Sequence, residues 1–209
     1  SGEFSFGLDT PTGDAAARRS LDLLLEMYFH TTTVPMLLVN ALPMGVQVPA
    51  AIARVWDAFT TDEGFQSWAA PFARVDLRVG GVIESSYQLT ASAGDAGNIK
   101  NHILAYVPQR MLALQATDAS PNFPYPELLP ELFSVVEFEA IDAVNTRIRM
   151  YGMGYRADPR HEQLLQMFRE ANRWTLTQLV RRFETGPVDW RKLLEKPPRT
   201  GAPDIPDDH

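Results

Sequence analysis

Four histidines, His30, His102, His161 and His209, are the side chains best suited to move a proton or hold a metal near neutral pH. None stands four residues from another, the spacing that puts two imidazoles on one helical face around a metal. With no cysteine, the chain has no thiolate ligand, disulfide or cysteine nucleophile. It also lacks the G-x-S-x-G turn of a serine nucleophile, a phosphate-cradling glycine loop and a dinucleotide fingerprint. Gly152-Met153-Gly154 follows a strand-like run, but charge and proline come next, so it reads as strand flexibility. What remains is a thin set of polar groups among apolar ones, the usual composition of a small-molecule pocket. Asn172, Tyr87 and Ser85 lead that set, with His102 and Asn101 beside them. No metal and no cofactor is expected.

The elements that would position these groups follow from periodicity. Pro159 to Phe183 carries Leu165, Phe168, Asn172, Leu176, Leu179 and Phe183 at three- and four-residue steps. That is an amphipathic helix, opened at Asp158-Pro159 and closed at Gly186-Pro187. Arg169, Arg173, Gln178, Arg181 and Arg182 fall mostly off its apolar stripe, and Asn172 is the one polar residue within it. A buried amide without a partner costs about 1–3 kcal/mol. Asn172 therefore bonds a backbone carbonyl or water, or meets a ligand.

From about residue 73 the period becomes two. "ARVDLRV", "GVIESSYQLT", "NIKNHILAYV", "MLALQAT", "FSVVEFEAI" and "TRIRMYGMGY" read as successive strands. Their links, Gly80-Gly81, "SAGDAG", "PQR" and "DAVN", are short and suit antiparallel neighbours. On the strand at 82–89, Ile83, Ser85, Tyr87 and Leu89 share the more apolar face. This predicts that Ser85 and Tyr87 face the helix, with Tyr87 as plain core packing the alternative. On "NIKNHILAYV" both faces are largely apolar, so alternation does not decide between Asn101 and His102.

Upstream, residues 36–49 read as an edge strand broken by Pro43. Ile52, Val55, Trp56 and Phe59 then recur at helical spacing after Pro49, and Thr60 and Glu63 have capping-box spacing for a second short helix. Trp56 is expected in the core. Trp68 and Phe72 stand where these helices meet the first central strand, at the expected mouth of a cavity between sheet and helix. Residues 120–132 hold four prolines, too many for a regular element, yet carry Phe123 and Tyr125. This predicts an ordered flap at that mouth.

Residues 15–30 read as an amphipathic helix through Leu21, Leu24, Leu25, Tyr28 and Phe29, expected to dock on the rest of the chain, with a lid or a homodimer element as the alternatives. The organisation expected is an N-terminal extension at 1–35, a domain at 36–186 and a proline-rich tail at 187–209. Ser1 to Phe4 read as a cloning remnant and carry no weight in the fold.

The order of these motifs, with "VPAAIARVWDAFTTDEGFQSW", "DLRVGG", "ILAYVPQRMLAL" and "NTRIRMYGMGY", resembles the START-like (SRPBCC) superfamily over about residues 44–184. Within it the sequence is most similar to the branch named for the activator of the heat-shock chaperone ATPase. The resemblance implies an α+β helix-grip fold, a curved antiparallel sheet wrapped around a long C-terminal helix. It also implies a cavity for an apolar or amphipathic small molecule. Members include cyclases, hormone binders and pure protein-binding modules, so architecture is implied more firmly than activity. Members of the branch often carry a tryptophan where Asn172 stands here. Trp174, two residues on, points about 200° away.

The expected function is thus binding or carriage of an apolar small molecule by Trp68, Phe72, Ile83, Ser85, Tyr87, Phe123, Tyr125, Phe168 and Asn172. A cyclase- or hydrolase-type enzyme using the same cavity, or a co-chaperone-like interaction module, are the alternatives. The net charge of −7, 19 basic against 26 acidic residues, argues against nucleic acid and anionic membranes as partners. No apolar run approaches the roughly 20 residues of a membrane span. A soluble protein is expected, with the cytoplasm favoured and secretion or the periplasm open if a leader has been removed.

Overall fold

The computed structural model describes residues 44–119 and 123–194. The helix expected at 15–30, the first part of the strand at 36–49 and the end of the tail lie outside the described residues. Within them the order is β1 (Met44–Val48), α1 (Ile52–Thr60), α2 (Asp62–Gln66), β2 (Phe72–Val75), β3 (Val82–Ser86), β4 (Ile99–Val107) and β5 (Met111–Asp118). A 3-10 helix (Pro126–Glu131), β6 (Phe133–Ala140), β7 (Thr146–Met153), α3 (Pro159–Thr185) and α4 (Trp190–Leu194) follow. The seven strands make one curled antiparallel sheet in the order β1-β7-β6-β5-β4-β3-β2, with α3 against it. This is the α+β helix-grip architecture.

Pairing register defines the helix-facing side of the sheet, because residues directly opposite in an antiparallel pair share a face. Val46, Ile148 and Phe138 form one row, and Met44, Met150, Val136 and Leu112 the next. Val55, Trp56 and Phe59 of α1 and Leu176 and Leu179 of α3 pack into the same core as these rows. Trp56 and Phe59 each meet Phe138 edge to face, at 5.1 and 5.0 Å between ring centres. The core therefore sits under α1 and the C-terminal half of α3.

Local chemistry places several boundaries differently from the periodic reading. The cap of α2 is Thr61, whose Oγ1 accepts the Gly64 N–H at 3.0 Å. Thr60 instead ends α1 and donates its hydroxyl to the Trp56 carbonyl at 2.8 Å. Strand β3 ends at Ser86 rather than continuing to 89, because the chain folds back over its outer face. There Glu84 Oε1 accepts from Gly94 N–H and from the Asn98 side chain, both at 2.8 Å. The proline-rich segment does hold a regular element: Pro126 opens the 3-10 helix, where its missing N–H costs nothing, and Leu128 and Leu129 are buried. Gln178, expected off the apolar stripe of α3, is buried.

The described residues after Gly186 fold back onto the domain. The Val188 N–H bonds the Ser67 carbonyl at 2.9 Å, and the indole N–H of Trp190 bonds the Gln66 carbonyl at 2.6 Å. Trp190 is buried, so α4 folds back onto the end of α2.

At its start α3 is capped by Asp158, whose carboxylate accepts the Arg160 and His161 N–H groups at 3.0 and 3.2 Å. Desolvation pushes the Asp158 pKa up, but these bonds and the charge of Arg160 outweigh it, so the net pKa lies below the usual carboxylate value. A depressed carboxylate pKa gives stability that is present above the unfolded-state pKa and is lost as pH falls through the folded one. Asp158→Asn keeps a capping oxygen but cannot titrate. In melting curves taken below pH ~5, the loss of stability on acidification is expected to be shallower in that variant than in the parent. Parallel curves would show that Asp158 contributes nothing to acid sensitivity.

Candidate functional site

Two walls change character at the same height. Along α3, Leu176 and Leu179 are fully buried, whereas Asn172 and Phe168, further up the same stripe, are only half-buried. Opposite them, small and polar residues enter the sheet rows among the large apolar ones. Ile83 stands beside Asn101 and Ala116, and Ile103 and Leu114 beside Ser134 and Gly152. Ser85, in register with Ala73 and Ile99, extends the polar set and is buried. Met150 and Gly152 lie across a cavity of about 20 Å³ from Phe168 and Asn172, which fixes the two changes at one level.

The register decides what alternation left open. Asn101 pairs with the core residue Ile83 and so faces the helix, while His102 pairs with Val82 and Gln115 on the other face. Asn172 lines the cavity, and its side chain has no hydrogen-bond partner among the described residues. The tryptophan two residues later does not replace it. Trp174 lies across the helix, 40% exposed, its ring edge-on to Tyr87 at 6.3 Å.

The remaining expected residues divide into three groups. Ile83 and Trp68 are in the main core; Trp68 is 2% exposed and donates its indole N–H to the Ala58 carbonyl at 2.7 Å, away from any mouth. Phe72 sits half-buried at the start of β2 on the face opposite Ser85, because it pairs with Ser86. Tyr87 lies just past β3, with 42% exposure rather than in the interior. Its ring packs edge-on to Trp174 and Trp190, and burial of its hydroxyl raises its pKa, against a hydrogen bond to Thr175. Phe123, Tyr125 and Phe168 do come together, in a second small core with Leu128, Leu132, Tyr155, Leu164 and Leu165. Phe123 and Phe168 are 5.7 Å apart, and Tyr125 donates to Gln163 Oε1 at 2.9 Å. The flap is thus anchored on the N-terminal half of α3.

Sequence reasoning missed Tyr155, Arg169, Met44, Met150 and Gly152, all of which line the cavity. Tyr155 reaches it because Gly152 has no side chain; a Cβ there would stand 3.1 Å from the Tyr155 ring. A repeating strand pattern ending in a tyrosine carries no sign of such a fold-back.

The buried His161 sits at the base of the flap. Its Nε2 accepts from Arg156 Nε at 3.3 Å and lies 3.5 and 3.7 Å from Asp158 and Glu131. No cluster of three metal-ligating side chains occurs among the described residues. Nor does any helix there have the length and apolarity to cross a membrane.

The family model for activator of Hsp90 ATPase homolog 1-like proteins matches residues 49–184, well over half of the chain. The chain belongs to that family. No curated protein matches it in sequence. Among solved structures, DynU16, from the dynemicin biosynthetic locus, is similar at 15% identity and a TM-score of 0.53, over 71% of this chain and 48% of DynU16. A protein of Nitrosomonas europaea is similar at 18% identity and a TM-score of 0.53, over 73% of this chain and 98% of that one. A protein of Mesorhizobium loti follows at 16% identity and 0.52, over 70% and 100%. Identities this low establish the fold alone.

Proposed function

We propose that this protein binds an apolar or amphipathic small molecule between the upper part of the concave sheet face and the middle of α3. The observation that carries this reading is the matched change on the two walls. A core built only for stability would continue the large apolar rows of Leu112, Val136 and Ile148 up to Phe168. Instead Asn101, Ala116, Ser134 and Gly152 stand among Ile83, Ile103 and Leu114, and Gly152 lines a cavity with Phe168 and Asn172, which keep solvent access. Small side chains take up less space than the core rows do, and the amides of Asn101 and Asn172 can orient a ligand that enters between sheet and helix. Phe123 and Tyr125, held by Phe168 and Gln163, cover one end.

Nile red, a neutral apolar dye, tests the site. The purified protein is expected to bind it with a blue-shifted emission. Ser134→Leu, which adds bulk to the helix-facing side of the sheet beside Gly152, is expected to weaken binding by about tenfold or more while the protein still melts cooperatively. Equal binding by parent and variant, or no binding at all, would remove the reading.

A further inference from the structure

We infer that the cavity beside Asn172 receives the carboxylate end of the ligand, so that the molecule bound is an organic acid with an apolar body. The inference rests on the small-molecule reading above and names the class of molecule. Three polar side chains converge on the cavity, and each offers a hydrogen-bond donor. Tyr155 is 7% exposed, and its hydroxyl has no hydrogen-bond partner among the described residues. Burial pushes its pKa up, so the phenol stays protonated and donates. Arg169 has a buried Nε with no hydrogen-bond partner, while another of its nitrogens bonds Gln166 Oε1 at 3.1 Å. The amide nitrogen of Asn172 is the third donor.

No carboxylate in the lining pairs with these donors. The other lining residues are Met44, Met150, Gly152, Leu165 and Phe168, and none carries a carboxylate. Leaving a buried guanidinium nitrogen unpaired is costly, and an acceptor on the ligand would remove that cost. A negative charge suits the site best, since charge-assisted bonds to Arg are about twice as strong as neutral ones. The arginines on the outer face differ: Arg147 and Arg149 are already paired with Glu139 at 3.1 and 2.8 Å.

Size sets the rest. A volume of about 20 Å³ is room for one oxygen-sized group, since a water needs roughly 10–15 Å³ by the same measure. A flat carboxylate can enter by one oxygen, whereas a tetrahedral phosphate presents three. The body of the acid then lies outside the cavity, along Phe168.

Binding of decanoate, decanol and decyl phosphate, each below its aggregation concentration, tests the assignment by calorimetry. Decanoate is expected to bind the parent protein about tenfold or more tighter than decanol. That preference is expected to shrink towards unity in Arg169→Met and to weaken in Tyr155→Phe, a change small enough to spare the fold. Equal binding of acid and alcohol would overturn the carboxylate assignment and leave the small-molecule reading standing. Tighter binding of decyl phosphate would overturn it too, as would an acid preference that persists in both variants. If none of the three binds, the small-molecule reading falls with it.

Discussion

Replacing Gly154 by alanine is expected to lower stability by about 3 kcal/mol or more, or roughly 6–12 °C in melting temperature for a chain of this size. Gly154 has a φ of 91°, in the left-handed region that a side chain resists. A Cβ at this position would also fall on the carbonyl oxygen of Glu131, a backbone atom that cannot rotate away. The turn joins β7 to Tyr155 and the start of α3 while the end of the 3-10 helix passes over it. Relief would require that helix to move, taking Leu128 and Leu132 out of the second core. Thermal melting by circular dichroism gives the number, and a shift within about 2 °C would refute the packing argument. Because Tyr155 follows directly, decanoate affinity should fall in the same variant.

Trp68→Ala is expected to cost about 3–5 kcal/mol. The indole is buried between Phe59 and Phe65, at 4.7 and 5.7 Å between ring centres, and nothing mobile can collapse into its space. Trp68→Phe separates packing from polarity. It keeps most of the volume but leaves the Ala58 carbonyl without the indole N–H, at a cost of about 1–3 kcal/mol. Denaturant titration reads both. A ligand-contacting tryptophan would behave in the opposite way, with near-parental stability and impaired Nile red binding, and that result would return Trp68 to the site.

Most of the fold was legible because its signals are repetitive. Alternation in 133–140 and 146–153, and the three-four spacing from Leu165 to Phe183, each repeat often enough to outweigh a stray residue. Single decisions were less secure. Thr60 and Thr61 are both competent caps, and the one that caps is the one whose hydroxyl reaches the Gly64 N–H. The inward face of β4 could not be read at all, since it is Ile83 across the pair that turns Asn101 inward. The docking of α4 depends on Trp190 finding a carbonyl 124 residues earlier in the chain, information that no local pattern contains.

The site was legible only in part, for the same reason. Asn172 stood out as a polar residue within an apolar stripe, and it lines the cavity. Arg169 and Tyr155 did not, because an arginine on a helix and a tyrosine at a strand end are ordinary on any surface. Trp68 and Tyr87 showed the converse error, large aromatics given to a pocket when one belongs to the core and the other to a half-exposed aromatic stack.

The pairing of β1 has a consequence for how the chain reaches this state. Among the described strands β1 has a single neighbour, β7, in the register Val48 with Thr146, and Thr146 also donates to the Ala50 carbonyl across 96 residues. The neighbours from β2 to β7 are consecutive in sequence and can zip together hairpin by hairpin. Of the described strands, the first to be made is therefore the last that can find its place, waiting for this partner until β7 has emerged. During synthesis its exposed edge needs shelter from other chains.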